Sequence, residues 1–362
     1  MSRTTRPGFA RALRVFQLAA THVPAYAPFL AEHEIDPRDI RTPADFAQLP
    51  PMTEPGYFEK YPRHELLADG VPTVFWSRSS GRTGYRPLDA ESRARDSTLH
   101  RRILRPLGAH ERSTLVVVTS AIGSWVGDTV SCLEALAAQG FPVSVVTPEQ
   151  NPDAVRADIA ALGPAYDQVV IFGHPPFVRD VLDGAGPAVL NQDLKIVMAG
   201  ENISERWRDL LLGLLGKPGA HADTCLIYGT AGAGLVGHET PTTIGVRRLA
   251  KTDPRLRKQV FGAGPVLPTF VEFDPRHRYL ETDDDGRLLV TVAGPMPLVR
   301  YRTDDEGHLL SAARLAAILR LRGHDLRVRT CSPGSAFLVL HGRSDIAATS
   351  HAVRLPILRK AS

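Results

Sequence analysis

The sequence predicts an α/β protein, with layered mixed and parallel sheets flanked by helices and a smaller antiparallel β region toward the C-terminus. Three observations lead there. Short, unbroken β-branched runs recur between residues 113 and 229, the pattern of strands covered on both faces. Segments of helical spacing separate them, and Gly or Pro punctuates each junction. Beyond residue 240 the helical segments thin out and apolar strands dominate.

Taken in order, residues 1–70 read as a helical or irregular lead-in packed on the main domain. The first residues are basic, but charges interrupt the apolar positions that follow, so the pattern is an amphipathic helix rather than a secretory signal. Pro50-Pro51 breaks the chain, and Thr53-Glu54-Pro55 starts a helix with proline in the first turn. The expected core, residues 71–240, holds strands at STLVVVTS (113–120), FPVSVVT (141–147), QVVIFG (168–173), LKIVMAG (194–200) and CLIYG (225–229). Between them, residues 128–140 form a helix stopped by Gly140, and Asn151 caps a helix that has Pro152 at its first position. Asn202 and Glu205 have capping-box spacing for the next helix. Residues 241–345 form the β-rich region, with strands at 286–294 and 335–342, and 346–362 a short basic tail.

Composition narrows the function classes. At 43% hydrophobic and 23% charged, the 362-residue chain has a core and is not a disordered polymer. A net charge of +4 is small for this length, and no nucleic-acid motif accompanies it, so no nucleic-acid partner is expected. No apolar run approaches the ~18 residues of a membrane helix. Three widely spaced cysteines, Cys132, Cys225 and Cys331, argue against a disulfide framework and for a reducing, cytoplasmic setting.

In doubly wound sheets, ligands bind beyond the carboxyl ends of strands. Four such loops carry suitable chemistry. Ser79 to Gly84, SSGRTG, offers hydroxyls and turning backbone N–H groups to an anion, although by itself it reads first as a polar surface turn. Ala199-Gly200-Glu201-Asn202 lies at a strand-to-helix junction, facing either a ligand or solvent. Tyr228, Gly229 and Thr230 place an aromatic ring before a glycine-rich loop, where it stacks on a base or fills the core. Pro297 to Asp305 clusters arginines and carboxylates, suited to a ribose diol or to a surface ion-pair network.

The order of these motifs, SSGRTG, AGE, YG, RYRTDD and then GRSD (342–345), resembles that of the adenylate-forming superfamily, its phenylacetate–CoA ligase branch in particular. Longer stretches such as VVIFGHPPFVRDVLD and IYGTAGAGLVGHETP resemble short ligase-like proteins of antibiotic-type secondary-metabolite pathways, phenazine biosynthesis among them. The resemblance implies an ATP- and Mg²⁺-dependent enzyme that converts a small aromatic or heteroaromatic carboxylic acid to an acyl-AMP, with a further protein accepting the acyl group. Ser79, Ser80, Gly81, Thr83 and Gly84 would cradle phosphate. Gly200, Glu201, Tyr228, Gly229 and Thr230 would surround adenine, and Asp305 and Arg343 the ribose. Asp345 would be the hinge to a C-terminal domain for which this sequence offers no counterpart. The acid would meet Trp125, His174 and Phe177.

Two losses run against full activity. The lysine expected after the glycine loop is replaced by Tyr85-Arg86, and the Thr/Ser-Glu pair expected after YGx by Ala231-Gly232. Arg82 or Arg86 is the expected substitute for the first charge, and Glu239 or Asp304 for the metal-binding carboxylate. The alternative reading is a degenerate, weak or inactive ligase fold that binds acid, nucleotide or a partner. A third is acyl transfer through Cys331, around which nothing in the sequence signals activation.

Overall fold

The structure, a computed structural model, describes residues 8–78, 85–119, 125–230 and 232–343. The lead-in forms helices α1 (Phe9–His22), α2 (Tyr26–Glu32) and α3 (Pro43–Phe46) and then irregular turns. Strands β1 (Phe75–Arg78) and β2 (Tyr85–Leu88) pair as an antiparallel ribbon, followed by α4 (Ala90–Leu104). An alternating layer follows: β3 (Thr114–Val118), α5 (Trp125–Ala137), β4 (Val143–Val146), α6 (Pro152–Leu162), β5 (Gln168–Gly173), α7 (Pro175–Asp183), α8 (Pro187–Leu190), β6 (Leu194–Ala199), α9 (Glu205–Leu214) and β7 (Thr224–Thr230). The chain continues through β8 (Gly234–His238), α10 (Pro241–Thr252), α11 (Pro254–Phe261), β9 (Thr269–Phe273), β10 (Tyr279–Thr282), β11 (Arg287–Val292), β12 (Leu298–Ser311), α12 (Ala312–Leu321) and β13 (Ala336–Arg343).

One sheet of 11 strands, in the order β10-β11-β12-β13-β9-β8-β7-β6-β5-β3-β4, runs through both the expected core and the expected β-rich region. From β4 to β7 its neighbours are parallel; from β7 onward they are antiparallel. The β-branched runs explain the parallel half. Leu115 and Val117 face one side, against α6, α7 and α9, while Val116 and Val118 face α4 and α5. On the antiparallel half, α10, α11 and α12 pack with Phe270, Phe337 and Val339. The lead-in covers the far end, where Phe9, Phe16, Tyr26, Phe29 and Phe46 join Leu280, Leu288, Val290 and Leu298 in one core.

Local signals decide the helix starts. Asn151 accepts from the Asp153 N–H with Pro152 in the first turn, and Thr53 accepts from the Gly56 N–H. Asn202 does not cap α9. Ser204 does, accepting from the Trp207 N–H at 3.1 Å, while Asn202 donates to the Leu267 carbonyl and accepts from the Thr269 hydroxyl. Among the described residues no helix is long and apolar enough to cross a membrane.

Candidate functional site

The site is built where the sheet changes from parallel to antiparallel. Tyr228 lies near the end of β7, and Asp305 lies within β12 rather than beyond a strand's end, because the strand continues through RYRTDD to Ser311. The Tyr228 hydroxyl donates to Asp305 Oδ2 at 2.7 Å. Burial, then the Asp305 charge, raises the phenol well above its ordinary pKa, so it remains a donor. Across the β12–β13 ladder, Asp305 is the register partner of Arg343. Three candidates from distant parts of the sequence thus meet at one point. Arg343 is placed there by its backbone; its side chain, like that of Trp125 at the start of α5, lies outside the description.

Gly229 and Thr230 pair with Leu235 and Gly234 in the β7–β8 ladder, and the Thr230 hydroxyl accepts from the Ala233 N–H at 3.1 Å. Thr230 therefore closes a tight turn. Gly232 is buried inside it, and a Cβ there would lie 3.4 Å from the Tyr301 ring and 3.6 Å from Leu298.

The second group stands at the ends of β5 and β6. His174 follows β5, and Gly200, with a left-handed φ of 99°, turns the chain after β6 so that Glu201 faces back. His174 Nε2 lies 3.1 Å from Glu201 Oε1. An expected acid-binding residue and an expected adenine neighbour therefore face each other directly. Phe177 is half-buried in α7 and packs on the core between α7 and the sheet. Ser79, Ser80, Gly81, Arg82, Thr83, Gly84, Ala231 and Asp345 lie outside the described residues, as does the tail at 346–362.

Two expected charges turn out to be structural. Arg86 points inward from β2, donating to Asp96 at 2.7 Å and to Asp128 at 2.8 Å. It rests on Gly234, whose φ of 69° and missing Cβ leave room for the guanidinium. Asp96 also accepts from Arg278 at 2.7 Å. Burial alone would raise that carboxyl, but Arg278 and Arg86 hold it well below the usual range. With both arms of its fork committed, Arg86 is not a phosphate ligand.

Glu239 is likewise withdrawn. It is 3% exposed. Arg208 donates to both its oxygens at 2.7 Å, Arg247 donates at 3.1 Å and the Leu226 N–H at 2.9 Å. Glu205 completes this buried cluster beside both arginines. A carboxylate so saturated holds the helices α9 and α10 to the sheet and does not reach a metal ion. Among the described residues no group of three or more His, Cys, Asp or Glu side chains is placed to bind one. Cys331 is no activated thiol: desolvation first and Glu272 next push it up to about 12.

The sequence predicts a lead-in packed on the main domain but not its contacts with the strand that carries Asp305. The Arg302 N–H donates to the Met52 carbonyl at 3.0 Å, the Tyr301 hydroxyl to Glu54 Oε1 at 2.9 Å, and Arg300 Nη1 to the carbonyls of Ala47 and Leu49. The lead-in is thereby strapped along the strand that carries Asp305. The signal lies in LPPMTEPGYFEKYP (49–62), whose Glu54 is the acceptor for Tyr301.

The fold matches that of a solved CoA ligase over most of the described chain. The chain is similar to 2-hydroxyisobutyryl-CoA ligase, solved in an open conformation with 2-HIB-AMP and CoA, at TM-score 0.60 and 16% identity over 92% of this chain and 68% of that one. The same ligase in its postadenylation state with R3-HIB-AMP gives TM-score 0.64 and 15% identity over 93% of this chain and 67% of that one. This chain thus spans about two thirds of that ligase's length. No protein-family model and no curated protein matches the chain.

Proposed function

We propose that this protein adenylates a small aromatic or heteroaromatic carboxylic acid with ATP, in an antibiotic-type secondary-metabolite pathway, and that another protein accepts the acyl group. The carrying observation is the convergence of Tyr228, Asp305 and Arg343 at the β7–β12–β13 junction. A carboxylate fixed by a phenol there is suited to accept hydrogen bonds from a ribose diol, and the Tyr228 ring is suited to flank a base.

In the reaction, a carboxylate oxygen of the acid attacks the α-phosphorus of ATP. The new bond joins that oxygen to phosphorus, the bond to the β-phosphate oxygen breaks, and pyrophosphate leaves. The protein's part is positioning and charge stabilisation. In this reading His174, which lies beside Glu201, orients the acid. ATP enters as its magnesium complex, and Glu239 does not fit that ion as a ligand, because its oxygens are spent on Arg208, Arg247 and Leu226.

The test is pyrophosphate release with hydroxylamine trapping across a panel of aromatic acids, alongside calorimetric titration with ATP and AMP. Acid-dependent pyrophosphate and a hydroxamate support the reading. Nucleotide binding without either product supports the alternative, a ligase fold that binds without turnover, and absence of both rejects the nucleotide site.

A further inference from the structure

Residue 85 carries no lysine and residue 232 no carboxylate, and two of the side chains expected to replace them, Arg86 and Glu239, are buried in ion pairs. We propose that the lead-in supplies both charges: Arg63 and Glu54 border a cavity that receives the polyphosphate end of the nucleotide. The inference rests on the nucleotide reading above and extends it to residues given no site role there.

The cavity measures about 160 Å³ and lies between the turn at 54–66 and Met296. Its position is fixed from several sides. The Ala25 N–H donates to the Glu65 carbonyl at 3.0 Å, and the Ala68 N–H to the Pro295 carbonyl at 2.7 Å. On one side the Arg63 guanidinium carbon lies 5.2 Å from the centre of the Tyr85 ring, a cation–π arrangement that holds an exposed arginine in place. Tyr85 is the first residue after the glycine loop. A permanent positive charge therefore stands where that loop rejoins the β1–β2 ribbon, delivered from 22 residues earlier in the chain. A guanidinium fork can hold two phosphate oxygens at once.

On the other side, Glu54 accepts from Tyr301, whose ring edge faces Gly232. Tyr301 and Asp305 are four residues apart on β12, whose register against β11 shifts between Arg302 and Glu306. Tyr301 therefore links the strand that carries Asp305, the turn at Gly232 and Glu54. In the proposed pose a sugar held at Asp305 directs its phosphates past Tyr301 toward the cavity. There the carboxylates of Glu54 and Glu59 would repel a bare polyphosphate, whereas a magnesium complex presents a charge for each sign of side chain. The proposed contacts are to the phosphates beyond the first, which AMP lacks.

The experiment is calorimetric titration of the full chain with AMP and with Mg·ATP, for wild type, Arg63→Ala and Glu54→Gln, with the melting temperature of each recorded. Arg63→Ala should weaken Mg·ATP binding about tenfold or more, the effect of losing one charge-assisted contact, and leave AMP binding unchanged. Glu54→Gln should reduce the gain in ATP affinity that magnesium gives, again without affecting AMP. Unchanged Mg·ATP affinity in Arg63→Ala, or equal losses for AMP and Mg·ATP, overturns the proposal. Wild type that binds neither nucleotide overturns the nucleotide reading itself, an outcome separate from the behaviour of the variants.

Discussion

Replacing Glu239 with glutamine separates a structural carboxylate from a metal ligand. The substitution keeps the volume and one acceptor oxygen but removes the charge and turns an NH₂ toward donors. Arg208 and Arg247, with side chains 0% exposed, lose their shared counter-ion and keep only Glu205. Breaking a buried pair on one side costs ~3–5 kcal/mol. With a melting entropy of ~2.1 cal/mol/K per residue, the 362-residue chain gains about 0.76 kcal/mol/K, so Tm should fall by about 4–7 °C. Scanning calorimetry reads that shift, and titration with Mg·ATP below the transition should give wild-type affinity. A variant with unchanged Tm and lost Mg·ATP binding would refute the argument and return Glu239 to the metal.

Asp305→Ala should weaken ATP and AMP binding by ~1–3 kcal/mol, the cost of an unmatched polar contact, with circular dichroism unchanged; wild-type affinity would remove Asp305 from the site. The third prediction concerns acid. Burial raises the Asp193 carboxyl, but hydrogen bonds from Lys217 and Arg112, with Lys195 nearby, outweigh it and lower its pKa to about 2. Its folded pKa is therefore below the unfolded value of ~3.9, so its contribution is complete above that pH and disappears as pH falls through about 2. Urea midpoints measured across this window should fall less steeply for Asp193→Asn than for wild type, and parallel curves would contradict the assignment.

What the sequence revealed was local. Apolar runs such as Leu115–Val118 and Val169–Phe172 need only their own composition to be recognised as doubly covered strands, and Asn151-Pro152 contains its whole cap. Tyr228 and Asp305 were legible because each sits in a short motif, although their hydrogen bond spans 77 positions. The buried ion pairs were not legible. Arg86 meets Asp128 across 42 positions and Arg278 meets Asp96 across 182, so each charge in isolation looked available for chemistry. Asn202 and Ser204 are both good caps, and the choice between them depends on Leu267 and Thr269, which draw Asn202 away. The strand through Asp305 was cut short because its polar residues hide the ladder it forms with β13.

The strap between the lead-in and β12 also has a kinetic consequence during synthesis. Ala47 leaves the ribosome 253 residues ahead of Arg300, whose side chain holds its carbonyl. At ~5–20 residues per second, that interval is on the order of 12–50 s. Through most of it, until Leu280, Leu288, Val290 and Leu298 are made, Phe9, Phe16, Tyr26, Phe29 and Phe46 lack the strand residues that later enclose them. The first segment made is therefore among the last to dock, and a nascent chain stalled before residue 280 should present these aromatic side chains to chaperones.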